Sequence, residues 1–156
     1  MRKRKLAGIG VLLGVTALLF GGCNEKEAPQ KLRVGVTYYD QNDTYLNELI
    51  GLFKESLKEI ESDKLEVSVT IRDAAGVQKN QNDQVEELID EGCNILCVNL
   101  VDRADPSEII DLARESEVPI IFFNREPVAE DLRQWEKLYY VGADAKQSGK
   151  LQGELA

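Results

Sequence analysis

The sequence predicts an α/β protein built on a doubly wound parallel sheet. Three observations lead there. From Leu32 onward, strand-like and helix-like segments alternate in the order β-α-β-α-β-α-β-(α)-β-α. Such alternation means a parallel sheet with helices on both faces. Right-handed crossovers leave few other windings. The segments NILCVNLV and VPIIFFN are near-continuous apolar runs, as burial on both faces requires.

LRVGVTYY reads as the first strand. The helix after it carries Leu46, Leu49, Ile50, Phe53, Leu57 and Ile60, spaced to fall on one helical face. Asp43 or Thr44 supplies its N-cap. In LEVSVTIRDA, Leu65, Val67, Val69 and Ile71 alternate with polar residues, so this second strand belongs at a sheet edge. A second helix runs from Gln78 to Glu91 and stops at Gly92, which suits a left-handed C-terminal cap. NILCVNLV is the third strand. DPSEIIDLARES opens a third helix, with Asp105 as cap, Pro106 first in the helix and Glu108 completing a capping box. VPIIFFN is the fourth strand, AEDLRQWEKL a short helix or helical turn, and YYVGAD the fifth strand. AKQSGKLQGELA begins another helix.

The first 23 residues differ in kind. Arg2, Lys3, Arg4 and Lys5 precede an apolar run from Leu6 to Phe20, followed by Gly21, Gly22 and Cys23. The run is short for a membrane-spanning helix and has the order of an export signal. Its small-small-Cys ending resembles a bacterial lipoprotein signal, with Phe20 where Leu is more usual. That resemblance implies cleavage after residue 22, lipidation of Cys23 and anchoring to the cell membrane. A diacylated cysteine would give the two chains that stable anchoring needs. The expected organisation is a signal at 1–22, a lipidated cysteine and tether at 23–31, a lobe at 32–142, and a crossover with the first helix of a second lobe at 143–156.

Residues 1–22 hold four basic and no acidic residues, so their removal takes the net charge from −9 to −13. A strongly acidic exported domain is a poor nucleic-acid binder, and none is expected as a partner. The chain has no His, which excludes a Ser-His-Asp triad and a Cys/His zinc site. Cys93 and Cys97 would lie roughly 13 Å apart on an extended chain, too far for a disulfide, and read as two small buried thiols. No calcium loop of the D-x-[DN]-x-[DN]-G kind is present, and no metal site is expected. Trp135, set among charges, reads as a half-buried anchor.

In a doubly wound sheet, ligands bind beyond the carboxyl ends of the strands. The residues delivered there are Tyr38, Tyr39, Asp40, Gln41, Asn42, Asp43 and Tyr45 after the first strand. Arg72 and Asp73 follow the second, Asn99 and Asp102 the third, Asn124, Arg125 and Glu126 the fourth, and Asp144 the fifth. Carboxylates and amides fork onto sugar hydroxyls, and aromatic rings cover the C–H face of a pyranose. The loop TYYDQNDTY has no glycine, which disfavours a phosphate-binding turn. A phospho-acceptor receiver domain would use Asp40 or Asp43 with Asp102, but it wants a Lys directly after the fifth strand. Here VGADAK puts Lys146 too far on.

The segments RVGVTYYDQNDTY, QKNQNDQVEELIDEG, NLVD, VPIIFFNREP and YYVGADAKQSGKLQGEL, in this order, resemble the periplasmic galactose/glucose-binding proteins, the sugar receptors of bacterial ABC importers. The resemblance runs from about Arg33 to Leu155. It implies the N-terminal lobe of a type 1 periplasmic binding protein, a monosaccharide ligand, an importer permease as partner, a monomer, and no catalysis. It places the sugar-bonding carboxylate on Asp43, the stacking ring on Tyr45 and the sugar-bonding amide on Asn124. The family usually has Phe at the ring position and Lys where this chain has Arg125. Arg125, Asn99 and Asp102 are expected to support these contacts. The opposite lobe and the family's calcium loop would lie beyond residue 156, so no cofactor is expected here and the chain reads as a fragment. A rival expectation is an exported sugar-sensing domain that presents its ligand to a chemoreceptor or sensor kinase.

Overall fold

The computed structural model describes residues 28–155. The expected export signal, Cys23 and the start of the tether lie outside the described residues. Five strands, Gln30–Tyr38 (β1), Leu65–Asp73 (β2), Ile95–Val98 (β3), Ile120–Phe123 (β4) and Leu138–Val141 (β5), form one sheet in the order β2-β1-β3-β4-β5. All pairings are parallel. The α/β doubly wound expectation therefore holds, and β2 lies at an edge as its alternation predicts. β1 starts at Gln30, two residues earlier than expected, because Gln30 and Lys31 pair with Leu65 and Glu66.

Four helices follow the strands: Thr44–Glu59 (α1), Gln78–Asp90 (α2), Ser107–Glu115 (α3) and Ala145–Leu155 (α4). None of them is long and apolar enough to cross a membrane. The segment expected as a short helix narrows to a 3-10 turn, Asp131–Arg133, and Trp135 beside it packs half-buried on the core. The start of α3 needs correction. Pro106, not Asp105, is the capping position, and no side chain caps the helix. The helix begins at Ser107, one residue later than the local rule expects, so Asp105 stands one position before the cap. Glu108 does not close a capping box; its carboxylate accepts from the Asn82 amide of α2.

The sheet has two unlike faces. On one, α2 and α3 press Val85, Leu88, Ile109 and Ile110 onto Leu96, Val98, Ile120 and Phe122. Gly35 makes this close approach feasible. A Cβ there would meet Leu96 Cδ2 at 3.0 Å, with Cys93 Sγ and Leu88 Cβ at 3.2 Å. On the other face, α1 sets Phe53 and Leu57 on Val34, Val36 and Cys97, and Leu46 and Ile50 against Tyr38. Burying a side chain of this size contributes about 1.5–3 kcal/mol. Cys93 and Cys97 are both buried and free. Burial pushes the Cys97 thiol up to about 11, which marks it as an inert structural thiol.

Candidate functional site

The strand order reverses between β2-β1 and β3-β4-β5, so the crevice opens beyond the ends of β1, β3 and β4. Asp43 stands at the β1–α1 junction as the N-cap of α1. Its Oδ1 accepts the Leu46 N–H at 3.1 Å and its Oδ2 accepts the Tyr39 hydroxyl at 2.7 Å. The Tyr39 bond, then the Leu46 N–H, holds the Asp43 carboxyl below the usual carboxylate range. The same bond raises the Tyr39 hydroxyl above its ordinary value. Asp43 is thus an ionised acceptor held from two sides, with lone pairs left over.

Tyr45 follows in the first turn of α1 and is 61% exposed. It shares the wall of a cavity of about 480 Å³ with Asn124. The floor of that cavity is apolar, made by Val36, Phe53, Cys97, Ile121 and Phe123.

Asn124 ends β4 in the left-handed region, at φ +60°. Asn tolerates this conformation better than other non-glycine residues. Its backbone is pinned on both sides. The N–H donates to Val141 O at 3.0 Å, and the carbonyl accepts the Tyr140 hydroxyl at 3.2 Å. The side-chain amide has no hydrogen-bond partner among the described residues, which leaves two donors and an acceptor for a ligand.

Arg125 turns away from the ligand space. Its Nη1 donates to Leu100 O and Val101 O, each at 3.0 Å. Its guanidinium lies 3.7 Å from the centre of the Tyr39 ring. Through this stack the β4 loop touches the residue that holds Asp43. Asn99 is fully buried, and its amide donates to Phe123 O at 2.9 Å. Its Oδ1 has no partner among the described residues. Asp102 is exposed and closes a local turn by accepting the Ala104 N–H at 2.8 Å. The structure therefore sets Tyr45 and Asn124 on one cavity wall, links Asp43 to Arg125 through Tyr39 without either lining that cavity, ties Asn99 to Phe123, and gives Asp102 a turn to hold.

The sequence reading did not assign a role to Tyr39 beyond its place at the strand end. It also missed the glutamines of α2. Gln81 and Gln84 each use both ends of the amide on loop or strand groups, and Gln78 accepts the Asp102 N–H while donating to Asn82 of its own helix. The signal was present: Gln78 and Gln81 continue the Val85–Leu88 stripe at helical spacing. Among the described residues no group of three His, Cys, Asp or Glu is placed to hold a metal ion. The groups on offer are an ionised carboxylate at Asp43, an amide at Asn124 left free among the described residues, and an exposed ring at Tyr45 beside an apolar floor.

The family model described as "Periplasmic binding protein domain" matches residues 34–156. The D-galactose/methyl-galactoside binding periplasmic protein MglB of Haemophilus influenzae is 37% identical over 123 residues, 79% of this chain and 36% of that protein. Among solved structures, a galactofuranose binding protein superposes with a TM-score of 0.68 at 19% identity, over 80% of this chain and 40% of its own. A carbohydrate transporter solute binding protein from Chloroflexus aurantiacus, in complex with D-glucose, gives 0.64 at 22% identity, over 81% and 34%. At these identities the two structures speak for the fold. The chain spans about a third of the length of the curated relatives it matches.

Proposed function

We propose, from the premise that this chain belongs to the family of periplasmic binding protein domains, that it supplies one lobe of a monosaccharide receptor serving an ABC importer. Proteins of this family bind rather than catalyse. The galactose-binding relative favours a galactose- or glucose-type ligand. Asp43 accepts a hydrogen bond from a sugar hydroxyl, Asn124 donates and accepts across a neighbouring pair, and Tyr45 covers the C–H face of the ring. The receptor works outside the cytoplasm, tethered through a lipidated Cys23, and hands its sugar to a permease. A second lobe closing over the same edge completes the receptor.

The observation that carries this reading is the partnerless Asn124 amide, held at φ +60° on the cavity that Tyr45 also lines. A strained conformation fixed at a ligand edge is the kind of feature that binding sites retain. Calorimetric titration of the protein with galactose and with glucose is the test. Asn124→Ala should weaken binding by about tenfold or more, because it removes hydrogen bonds that the sugar otherwise makes to water. Asp43→Asn keeps an N-capping oxygen and should weaken binding comparably while the protein stays folded. Unchanged affinity in both variants would overturn the site. Failure of Cys23→Ala to abolish incorporation of labelled fatty acid would overturn the anchor.

A further inference from the structure

Gln81 lies fully buried in α2, a helix that contributes nothing to the cavity wall. Its amide meets one backbone segment twice. Nε2 donates to Asn99 O at 2.9 Å, and Oε1 accepts from Val101 N at 2.9 Å. The carbonyl of one residue and the N–H of the residue two further on are the groups a strand shows to its parallel neighbour. β3 ends at Val98, yet Gln81 continues its pairing for three residues in place of a strand. An amide can do this because it carries a donor and an acceptor at fixed separation.

The segment so held is the one on which Asn124 depends. Asn99 Nδ2 holds Phe123 O, and the carbonyls of Leu100 and Val101 hold Arg125. Asn124 sits between those two anchored residues, in a backbone conformation that a loose loop would not keep. Arg125 then stacks on Tyr39, which bonds Asp43. Gln84 makes a similar double bond elsewhere, to Thr37 Oγ1 at 2.8 Å and Asp73 O at 2.7 Å, and touches neither neighbour of Asn124.

We infer that Gln81 is a positioning residue for the ligand contact of Asn124, acting through Asn99–Val101. The inference rests on the sugar-site reading above, and its test is arranged so that either can fail alone. The first measurement needs no variant and no sugar. In amide hydrogen exchange of the wild-type protein, Val101 should be protected like Val98 inside β3. Exchange as fast as that of the exposed Arg103 amide would overturn the anchor. The second compares Gln81→Met with Gln84→Met by the side-chain amide signals of Asn124. Gln81→Met should move them and Gln84→Met should leave them in place; the reverse, or no change in either, would overturn the inference. The third is a double-mutant cycle on sugar affinity. Gln81→Met should weaken binding about tenfold in the wild-type background and far less beside Asn124→Ala, because residues in one network are not additive. Full additivity would overturn the positioning role. If Gln81→Met fails to fold, the exchange measurement decides. Absence of sugar binding by the wild type sinks the site reading and leaves the first two measurements able to judge Gln81.

Discussion

The two faces of the sheet are finished to different degrees. Under α2 and α3, Leu96, Val98, Ile120 and Phe122 are all fully buried. Across the same strands, residues one position away tell another story. Ile121 and Phe123 are half-buried, and Tyr139 and Val141 of β5 are 53% and 64% exposed. α1 covers β1 and leaves the cavity of about 480 Å³ beside it. Successive strand residues point to opposite faces, so one strand serves both regimes. Stability is concentrated on the α2/α3 face. The ligand edge and the open apolar floor belong to the α1 face.

The largest effect that should separate the faces comes from adjacent phenylalanines in β4. Phe122→Ala removes a ring with no exposure and should cost about 3–5 kcal/mol in denaturant unfolding. Phe123→Ala acts on the open side, where much of the ring's surface already faces the cavity. It should cost about half as much or less, in proportion to the area it hides from water. Equal losses would mean that the α1 face is as well packed as the other, and the contrast would fall.

A single substitution type with opposite signs sharpens the same point. Gly35→Ala drives a Cβ into Leu96, Cys93 and Leu88, in an interior already at crystal-like density. Overpacking there should destabilise by about 1–3 kcal/mol. Gly51→Ala, on the exposed side of α1 with no atom within 4 Å of its added Cβ, should stabilise by about 0.5–1 kcal/mol through helix propensity and lost unfolded-state freedom. Thermal unfolding of the two variants beside the wild type reads both signs. Destabilisation by Gly51→Ala would show that α1 is packed by something beyond the contacts seen.

These contrasts also explain what could be read from the chain. The edge place of β2 and the interior places of β3 and β4 follow from the patterning, because β2 alternates and the other two do not. The caps at Asp43 and Gly92 are legible because their chemistry is local. Asp43, Tyr45 and Asn124 could be placed at one edge because strand ends in a parallel sheet share a side. The spacing of Gln78 and Gln81 on the α2 stripe was legible, but what they bond was not. QKNQNDQ looks like a solvated helix start, since buried positions are expected to be apolar. Gln81 occupies a core-facing position because backbone groups past β3 need partners, and that need exists only once the fold brings 99–101 alongside; Asn82 is buried between the side chains of Gln78 and Glu108. The role of Tyr39 was hidden for the same reason: its partners Asp43 and Arg125 lie on different loops. The α3 cap was misread because Asp105 and Glu108 fit a local rule, while the helix starts one residue later, at Ser107, and Glu108 bonds Asn82 instead.

The smallest expected effect concerns protons, and it too distinguishes the faces. The carboxyl of Asp43 titrates below its ordinary value near 3.8 because Tyr39 and then the Leu46 N–H bond the ionised form. The fold therefore holds the carboxylate. Its contribution to stability is complete above the unfolded value and is lost as pH falls through the depressed folded one. Tyr39 behaves in the opposite sense. Its hydroxyl is raised above 10.0, chiefly by the bond to Asp43, so its contribution is present below the unfolded value and lost as pH rises through the folded one. A carboxyl carbon titration by NMR should show a low Asp43 midpoint in the wild-type protein and a higher one in Tyr39→Phe, where the donor is gone. Gln81→Met should leave the midpoint nearly where it was, since the amides of α2 reach Asp43 only through Arg125 and the Tyr39 ring. A Tyr39→Phe midpoint equal to wild type would mean that the N-cap alone fixes the charge of Asp43. The coupling between the β1 and β4 loops would then be one of shape without electrostatics.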